Sequence, residues 1–301
     1  MIVDRPVRGI ALMFGFCLVA PMGDAVAKLL SDTPLGEVLL VRFFIQSLIL
    51  FPLIWISKRH WRIPAGLMGL VVLRTVLHML GIATMFTGLQ YLPLADAVAI
   101  AFVCPFILLL LGRIFLQEAI GPHRLGACAV GFLGTLMVVQ PSFVDVGLPA
   151  LWPVATAVIF ALFVLITRKV AKATDPLGLQ AVSGVVACVL LIPILGVGQN
   201  WQVDALQLPA PTQQQWGLLL SIGILGTLAH LLMTWSLRYA PSATLAPMQY
   251  LEIPIATLIG WLVFNQFPNT LAGLGIMVTM AAGLYAVWRE RQVSLTQPAE
   301  A

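Results

Sequence analysis

Eight residues bring reactive or hydrogen-bonding groups into a chain otherwise made largely of apolar side chains: Asp24, Arg42, Arg74, His78, His230, Trp235, Tyr250 and Glu252. Glu252 stands in "PMQYLEIPIA", inside an apolar run from about Ala243 to Phe264. Holding an ionised carboxylate in lipid costs at least a few kcal/mol. A carboxylate placed there can exchange a proton, meet a cation or accept a solute's hydrogen bond. Arg74 lies at similar depth in another run, with His78 one turn on and on the same face. A guanidinium keeps its charge in proteins, so Arg74 needs a carboxylate, carbonyls or water. Glu252 is a candidate partner. The pair could bind a zwitterion, hold a gate shut, or serve as a plain structural ion pair. Arg42 is shallower, with Glu37 five residues before it as a possible interfacial neighbour. Asp24 precedes Lys28 by four residues, which suits an interfacial pair; the alternative is a proton or substrate carboxylate at the mouth of a pathway. His230 is either a hydrogen-bonder within a bundle or a proton relay, since imidazole titrates in the physiological range. Tyr250 and Trp235 could stack an organic solute, as could Phe102 and Phe106 beside Pro105; core packing is the alternative for each.

Other chemistry finds no support. Cys17, Cys104, Cys128 and Cys188 all fall in apolar runs, without a CxxC or Cys/His pattern, so they read as packing residues with neither disulfide nor metal. There is no phosphate loop, HExxH or GxSxG. No cofactor, no metal and no ATP hydrolysis are expected.

The elements that hold these groups must be membrane helices. Hydrophobic residues make up 60% and charged residues 9% of the chain, against roughly 25% charged in ordinary globular domains. Apolar runs of the ~20 residues needed to cross a bilayer occur at about 8–28, 36–56, 65–89, 95–113 and 122–140, then 150–169, 177–197, 215–237, 243–264 and 270–288. Ten spans put 13 Lys and Arg on one side and only Lys28 on the other. That bias predicts cytoplasmic termini and explains the basic net charge without nucleic acid. Arg5 and Arg8, an apolar stretch and "AVAK" imitate a secretory signal, but the internal match described next uses this segment, so it is expected to be kept. In this frame Glu252 and Arg74 each lie about nine residues deep, roughly 13 Å at 1.5 Å per residue, near the midplane. Pro254 and Pro105 sit at matching depths and are expected to break their helices.

The two halves resemble each other. "TPLG" at Thr33 matches "DPLG" at Asp175, "FPLI" at Phe51 matches "IPIL" at Ile192, "LQYLPLADA" at Leu89 matches "LRYAPSATL" at Leu237, and Lys28 pairs with Lys169. Five spans per copy is odd, so the second copy inserts upside down, a signature of secondary transporters. The expected fold class is all-α and polytopic: two inverted five-helix repeats at 1–146 and 147–292, with a disordered cytoplasmic tail at 293–301. Small residues at four-residue spacing, Ala127, Gly131 and Thr135, then Gly275, Thr279 and Gly283, suit close helix packing or a homodimer seam.

This layout resembles the drug/metabolite transporter superfamily and, within it, the EamA family. The resemblance rests on the five-plus-five pattern, on "LQYLPLADAVAIAFVCPFILLLLGRIFLQEAIGPHRLGACAVGFLGTLMVV" closing the first half, and on "LRYAPSATLAPMQYLEIPIATLIGWLVFNQFPNTLAGLGIMV" closing the second. It covers the whole chain through loose motifs. Glu118 fills the family's acidic loop position in the first half, whereas Gln266 stands there in the second, a departure. The resemblance implies a central cavity lined by both halves and carriage of a small organic solute such as a vitamin, amino acid or nucleoside-like compound. Proton movement is implied as well. Some proteobacterial relatives of similar pattern look like riboflavin importers or S-adenosylmethionine uptake carriers, and riboflavin is the one named candidate cargo.

The expected protein is therefore a multi-pass carrier of the bacterial inner membrane, monomeric or homodimeric, and not an enzyme. Its partners are the bilayer and a small molecule. A passive channel is the first alternative, although channels need a continuous polar lining; an intramembrane enzyme is the second.

Overall fold

The computed structural model describes residues 5–117, 121–139, 146–266 and 270–296. Nearly all of them are helical, and no strand occurs among them. The first half gives α1 (Pro6–Leu29), α2 (Leu35–Ile56), α3 (Met68–Tyr91), α4 (Leu94–Ala101), α5 (Cys104–Phe115) and α6 (Pro122–Val139). The second gives α7 (Leu151–Ala171), α8 (Pro176–Asn200), α9 (Gln213–Tyr239), a short turn of helix at Ser242–Leu245, a 3-10 segment at Ala246–Leu251, α10 (Glu252–Phe264) and α11 (Thr270–Thr296). Eight stretches are long and apolar enough to cross a bilayer, with α4 and α5 counting as one and 242–264 as another. The chain is thus a multi-pass helical membrane protein. The remaining expected spans fall on α6, of 18 residues, and on α11, whose apolar part is Gly273–Ala286. Residues 293–296, expected to be disordered, continue α11, whereas 297–301 lie outside the described residues, as does Glu118.

Local signals set the helix starts. Pro34 and Pro93 precede α2 and α4, where proline's missing N–H costs nothing. The Asp175 side chain caps α8 by accepting from the Leu177 N–H at 3.0 Å, and Thr212 with Gln215 forms a capping box on α9. Each main helix of the first half takes its chief partner from the second: α1 packs on α9, α2 on α8, α3 on α7 and α6 on α11. This interleaving is what an inverted pair of copies produces.

Two matching bonds mark the duplication. Lys28 at the end of α1 donates to the carbonyls of Leu89 (3.1 Å) and Leu92 (2.5 Å). Arg168 near the end of α7 donates to the Leu237 carbonyl (2.6 Å), and Leu89 and Leu237 are matching positions. Each basic side chain neutralises bare carbonyls at a helix C-terminus. The role belongs to Arg168, not to Lys169, which is exposed. Lys28 is occupied in this way, and no ion pair joins it to Asp24 among the described residues.

The small-residue stripes are used inside the chain. A Cβ on Gly134 would fall 2.8 Å from Thr279 Cγ2 and 2.9 Å from the Gly275 carbonyl, so α6 and α11 meet backbone to backbone. A homodimer seam on Gly275 and Thr279 is thereby replaced by an intramolecular one.

Candidate functional site

The fourth helix of each copy is interrupted midway. In the first half the chain turns at Phe102 and Val103, whose N–H groups reach back three residues to Ala99 (3.1 Å) and Ile100 (3.4 Å). Pro105 follows in the first turn of α5. In the second half the 3-10 segment carries Pro247 in its first turn, and α10 resumes at Glu252, placing Pro254 in a first turn where its N–H is not needed. The irregular stretch is therefore 246–251, with Pro247 in its first turn, rather than around 250–254 at Pro254.

Between these breaks lies a cavity of about 110 Å³. Its walls come from both halves: Phe16 and Asp24 of α1, His78 and Met85 of α3, Phe102 and Pro105 at the first break, Thr156 and Phe160 of α7, His230 of α9, and Gln249 and Glu252 at the second break. The contributing parts of α1 and α3 run from the helix middle (Phe16, His78) toward the C-terminal end (Asp24, Met85), and that of α7 lies in its first half. The cavity therefore occupies the side of the molecule away from Pro6.

The side nearer the termini is sealed. The Arg5 N–H donates to the Tyr239 carbonyl at 2.7 Å, and the Ser236 hydroxyl to the Gly9 carbonyl at 2.6 Å. Asp175 pairs with Arg59 at 3.0 Å and with Arg238 at 3.9 Å. Trp235 lines a surface recess here with these residues, one turn or more from the central cavity.

Asp24, His78, His230 and Glu252 thus come together. The imidazoles of His78 and His230 are in contact, with centroids 4.1 Å apart at 60°, and His78 stacks on Phe163 at 4.6 Å. Both nitrogens of His78 and Nδ1 of His230 lack hydrogen-bond partners. Among the described residues no group of three metal-ligating side chains forms. Asp24 and Glu252 both line this cavity, and Arg42 does not.

The remaining predicted residues stand outside the lining. Arg74 is wholly buried on the terminal side of His78. Its Nε donates to Thr167 Oγ1 (2.8 Å), its Nη1 to Ser183 Oγ (2.9 Å), and its guanidinium covers Phe163 at 4.7 Å. The anticipated Arg74–Glu252 ion pair is absent among the described residues, because hydroxyls of α7 and α8 and an aromatic face hold the guanidinium below the cavity floor. Arg42 lies over Phe86 at 5.9 Å, not in an ion pair with Glu37. Tyr250 is a packing residue: its hydroxyl donates to the Cys128 carbonyl at 3.1 Å and its ring meets Phe102. Gln266 uses its side-chain oxygen to accept from the Leu94 N–H at 3.3 Å, closing the start of α4 without a carboxylate.

Gly226 makes the Arg42 position possible, since a Cβ there would fall 2.5 Å from the guanidinium carbon. Gly226→Ala is expected to destabilise the protein by about 1–3 kcal/mol through overpacking, visible as a lower melting temperature in detergent. An unchanged melting point would show that Arg42 swings aside freely.

Gln249 is the polar lining residue that the sequence reading passed over. It is 2% exposed, and its Nε2 has no partner. An available signal was its position three residues before Glu252, one turn of the same polar patch. Phe16, Phe160 and Thr156 gave no such signal, being ordinary residues for an apolar helix.

A duplicated helical bundle whose broken helices meet around a mainly apolar cavity bearing a few acid, imidazole and amide groups is the architecture of a membrane carrier. The profile of the EamA-like transporter family matches residues 7–140 and again 147–288, and the chain belongs to that family. Among curated relatives, the riboflavin transporter of Rhizobium johnstonii is 32% identical over 72% of this chain and 69% of its own length. The S-adenosylmethionine uptake transporter of Rickettsia bellii is 26% identical over 85% of this chain and 84% of its own. The riboflavin transporter of Vibrio cholerae is 24% identical over 97% of both. A solved crystal structure superposes with a TM-score of 0.72 over 95% of this chain and 98% of that one, at 15% identity, which shows the shared fold.

Proposed function

We propose that this chain is a secondary active carrier that moves a small polar organic metabolite across the bacterial inner membrane by alternating access. Riboflavin-like compounds are the favoured cargo. The carrying observation is a cavity lined by both repeats and confined to one half of the molecule, while the other half is closed by Arg59, Asp175 and Arg238. With ten spans and cytoplasmic termini, that arrangement faces outward. At about 110 Å³ the cavity admits part of a vitamin-sized solute, less than the ~300 Å³ at which ligand pockets begin. Entry then requires the repeats to rock apart at the far face. Asp24 and Glu252, neighbours across the cavity, are the groups through which a proton gradient would act. His78 and His230 form its floor.

Uptake of radiolabelled riboflavin and S-adenosylmethionine into proteoliposomes under an imposed pH gradient tests this. Saturable flux that follows the gradient supports a coupled carrier. Solute passage at channel rates or a chemically altered solute would replace it by one of the other classes. Gradient-independent saturable flux would remove the proton and leave a facilitator.

A further inference from the structure

Phosphorylation of a cargo is a common way to hold it inside a cell, and the cavity lining bears on whether this carrier could pass such a form. The polar groups in its lining residues are two carboxyls, two imidazoles, one primary amide, the Thr156 hydroxyl and the Cys104 thiol; among the described residues no lysine or arginine lines the cavity. The cations nearby stand outside the lining, although Arg42 Nε and Arg74 Nη2 have no hydrogen-bond partner. Lys28 holds the Leu89 and Leu92 carbonyls, Arg74 holds Thr167 and Ser183, and Arg42 lies against Phe86 and Gly226. Phosphate recognition ordinarily uses a guanidinium or ammonium, or a helix N-terminus offering bare N–H groups. Two helices start at this cavity: α10 opens with Glu252 itself, so its N-terminus already carries an acid, and α5 opens with Cys104 and Pro105, the latter without an N–H to offer.

The groups that are free to bond suit a neutral ring edge. The unpartnered Nε2 of Gln249 is a donor seeking a carbonyl or a ring nitrogen. A neutral imidazole offers one donor and one acceptor, and both His78 nitrogens are unpartnered. Phe16 and Phe160, nearly parallel at 16°, supply aromatic surface beside them. Building on the carrier reading above, we propose that this cavity selects a planar heterocycle with an edge of alternating carbonyl and N–H groups, uncharged or cationic overall, that Gln249 is a specificity-determining residue reading that edge, and that the phosphate ester of the same solute is rejected. Ionised or protonated, neither Asp24 nor Glu252 offers a phosphate what a cation would. A phosphate set near an ionised carboxylate is repelled, so the ester binds about 100-fold or more weakly than the parent.

The test uses the purified full chain, with ligand-induced thermal shift and flavin fluorescence as readouts. The probes are riboflavin, riboflavin 5′-phosphate and S-adenosylmethionine. Wild type is expected to be stabilised by riboflavin and unaffected by its phosphate at 100-fold excess. Gln249→Leu is expected to weaken riboflavin binding about tenfold while the unliganded protein melts at or above the wild-type temperature, since the change removes an unsatisfied buried donor. A purely structural role would lower that temperature instead, and that result overturns the assignment of Gln249. Equal stabilisation by riboflavin and its phosphate overturns the charge exclusion and leaves the carrier reading intact. No response to either riboflavin or S-adenosylmethionine, together with no uptake in vesicles, removes the cargo reading and this selectivity with it.

Discussion

Glu252→Gln is expected to insert and melt like the wild type while transporting at least about 100-fold more slowly, with the remaining rate independent of pH. The structural effect is small because Glu252 makes no ion pair among the described residues. It is the first residue of α10, where an acid contributes about 0.3–1 kcal/mol through the helix dipole, and glutamine retains its shape and hydrogen-bonding capacity. The functional effect is large because the substitution removes a titratable group from a cavity that both repeats line. A positioned proton-transfer group commonly contributes 10²–10⁴ in rate. Counterflow, which exchanges labelled for unlabelled solute without net proton movement, separates coupling from binding: loss of gradient-driven uptake with counterflow preserved assigns Glu252 to the proton. Wild-type uptake at every pH would end its proposed role. Asp24→Asn provides the comparison, since Asp24 lies nearer the far end of α1 and shares the cavity with Glu252.

What the sequence revealed followed from one-dimensional physics. Transfer of apolar runs into lipid marks the spans, and the matched pairs Thr33 with Asp175 and Leu89 with Leu237 mark the duplication. Prolines mark where a helix ladder can lapse: Pro105 and Pro247 stand at the breaks, while Pro21, Pro52 and Pro193 lie inside continuous helices. Partner choice depends on rotation about the helix axis and on which neighbour arrives, and neither is written along the chain. Arg74 and Glu252 share a depth yet do not pair, because Arg74 lies one turn below His78 and meets Thr167 and Ser183 first. Lys28 is four residues from Asp24, but bare carbonyls at the end of α3 capture it. Gln249 escaped notice because an amide within "PMQYLEIP" looks unexceptional until the 3-10 turn places it in the cavity wall. In the second repeat two prolines compete for the break, Pro247 and Pro254. Pro247 stands in the first turn of the irregular segment, and Pro254 falls where a helix start tolerates it.

Arg74 leads to the second large effect, in which stability and activity separate. A buried guanidinium with no carboxylate beside it carries a desolvation penalty that two hydroxyl bonds and an aromatic face offset only in part, and replacing buried ions by apolar residues of similar volume is often neutral or stabilising by about 1–4 kcal/mol. Arg74→Met is therefore expected to melt in detergent at or above the wild-type temperature. Arg74→Ala, which adds a void, is expected to lose about 2–4 kcal/mol relative to Met. A charge kept at such a cost calls for a use, and the position supplies one: four residues before His78 on the same helix face, Arg74 holds α3 to α7 and α8 through Thr167 and Ser183, below the imidazole pair that floors the cavity. Both substitutions should thus lower transport about tenfold or more while leaving riboflavin affinity within about threefold, since the guanidinium does not touch the cavity. If Arg74→Met melts several degrees below wild type and transports normally once folded, the charge is structural. If it transports normally and melts higher, Arg74 has no part in the transport cycle.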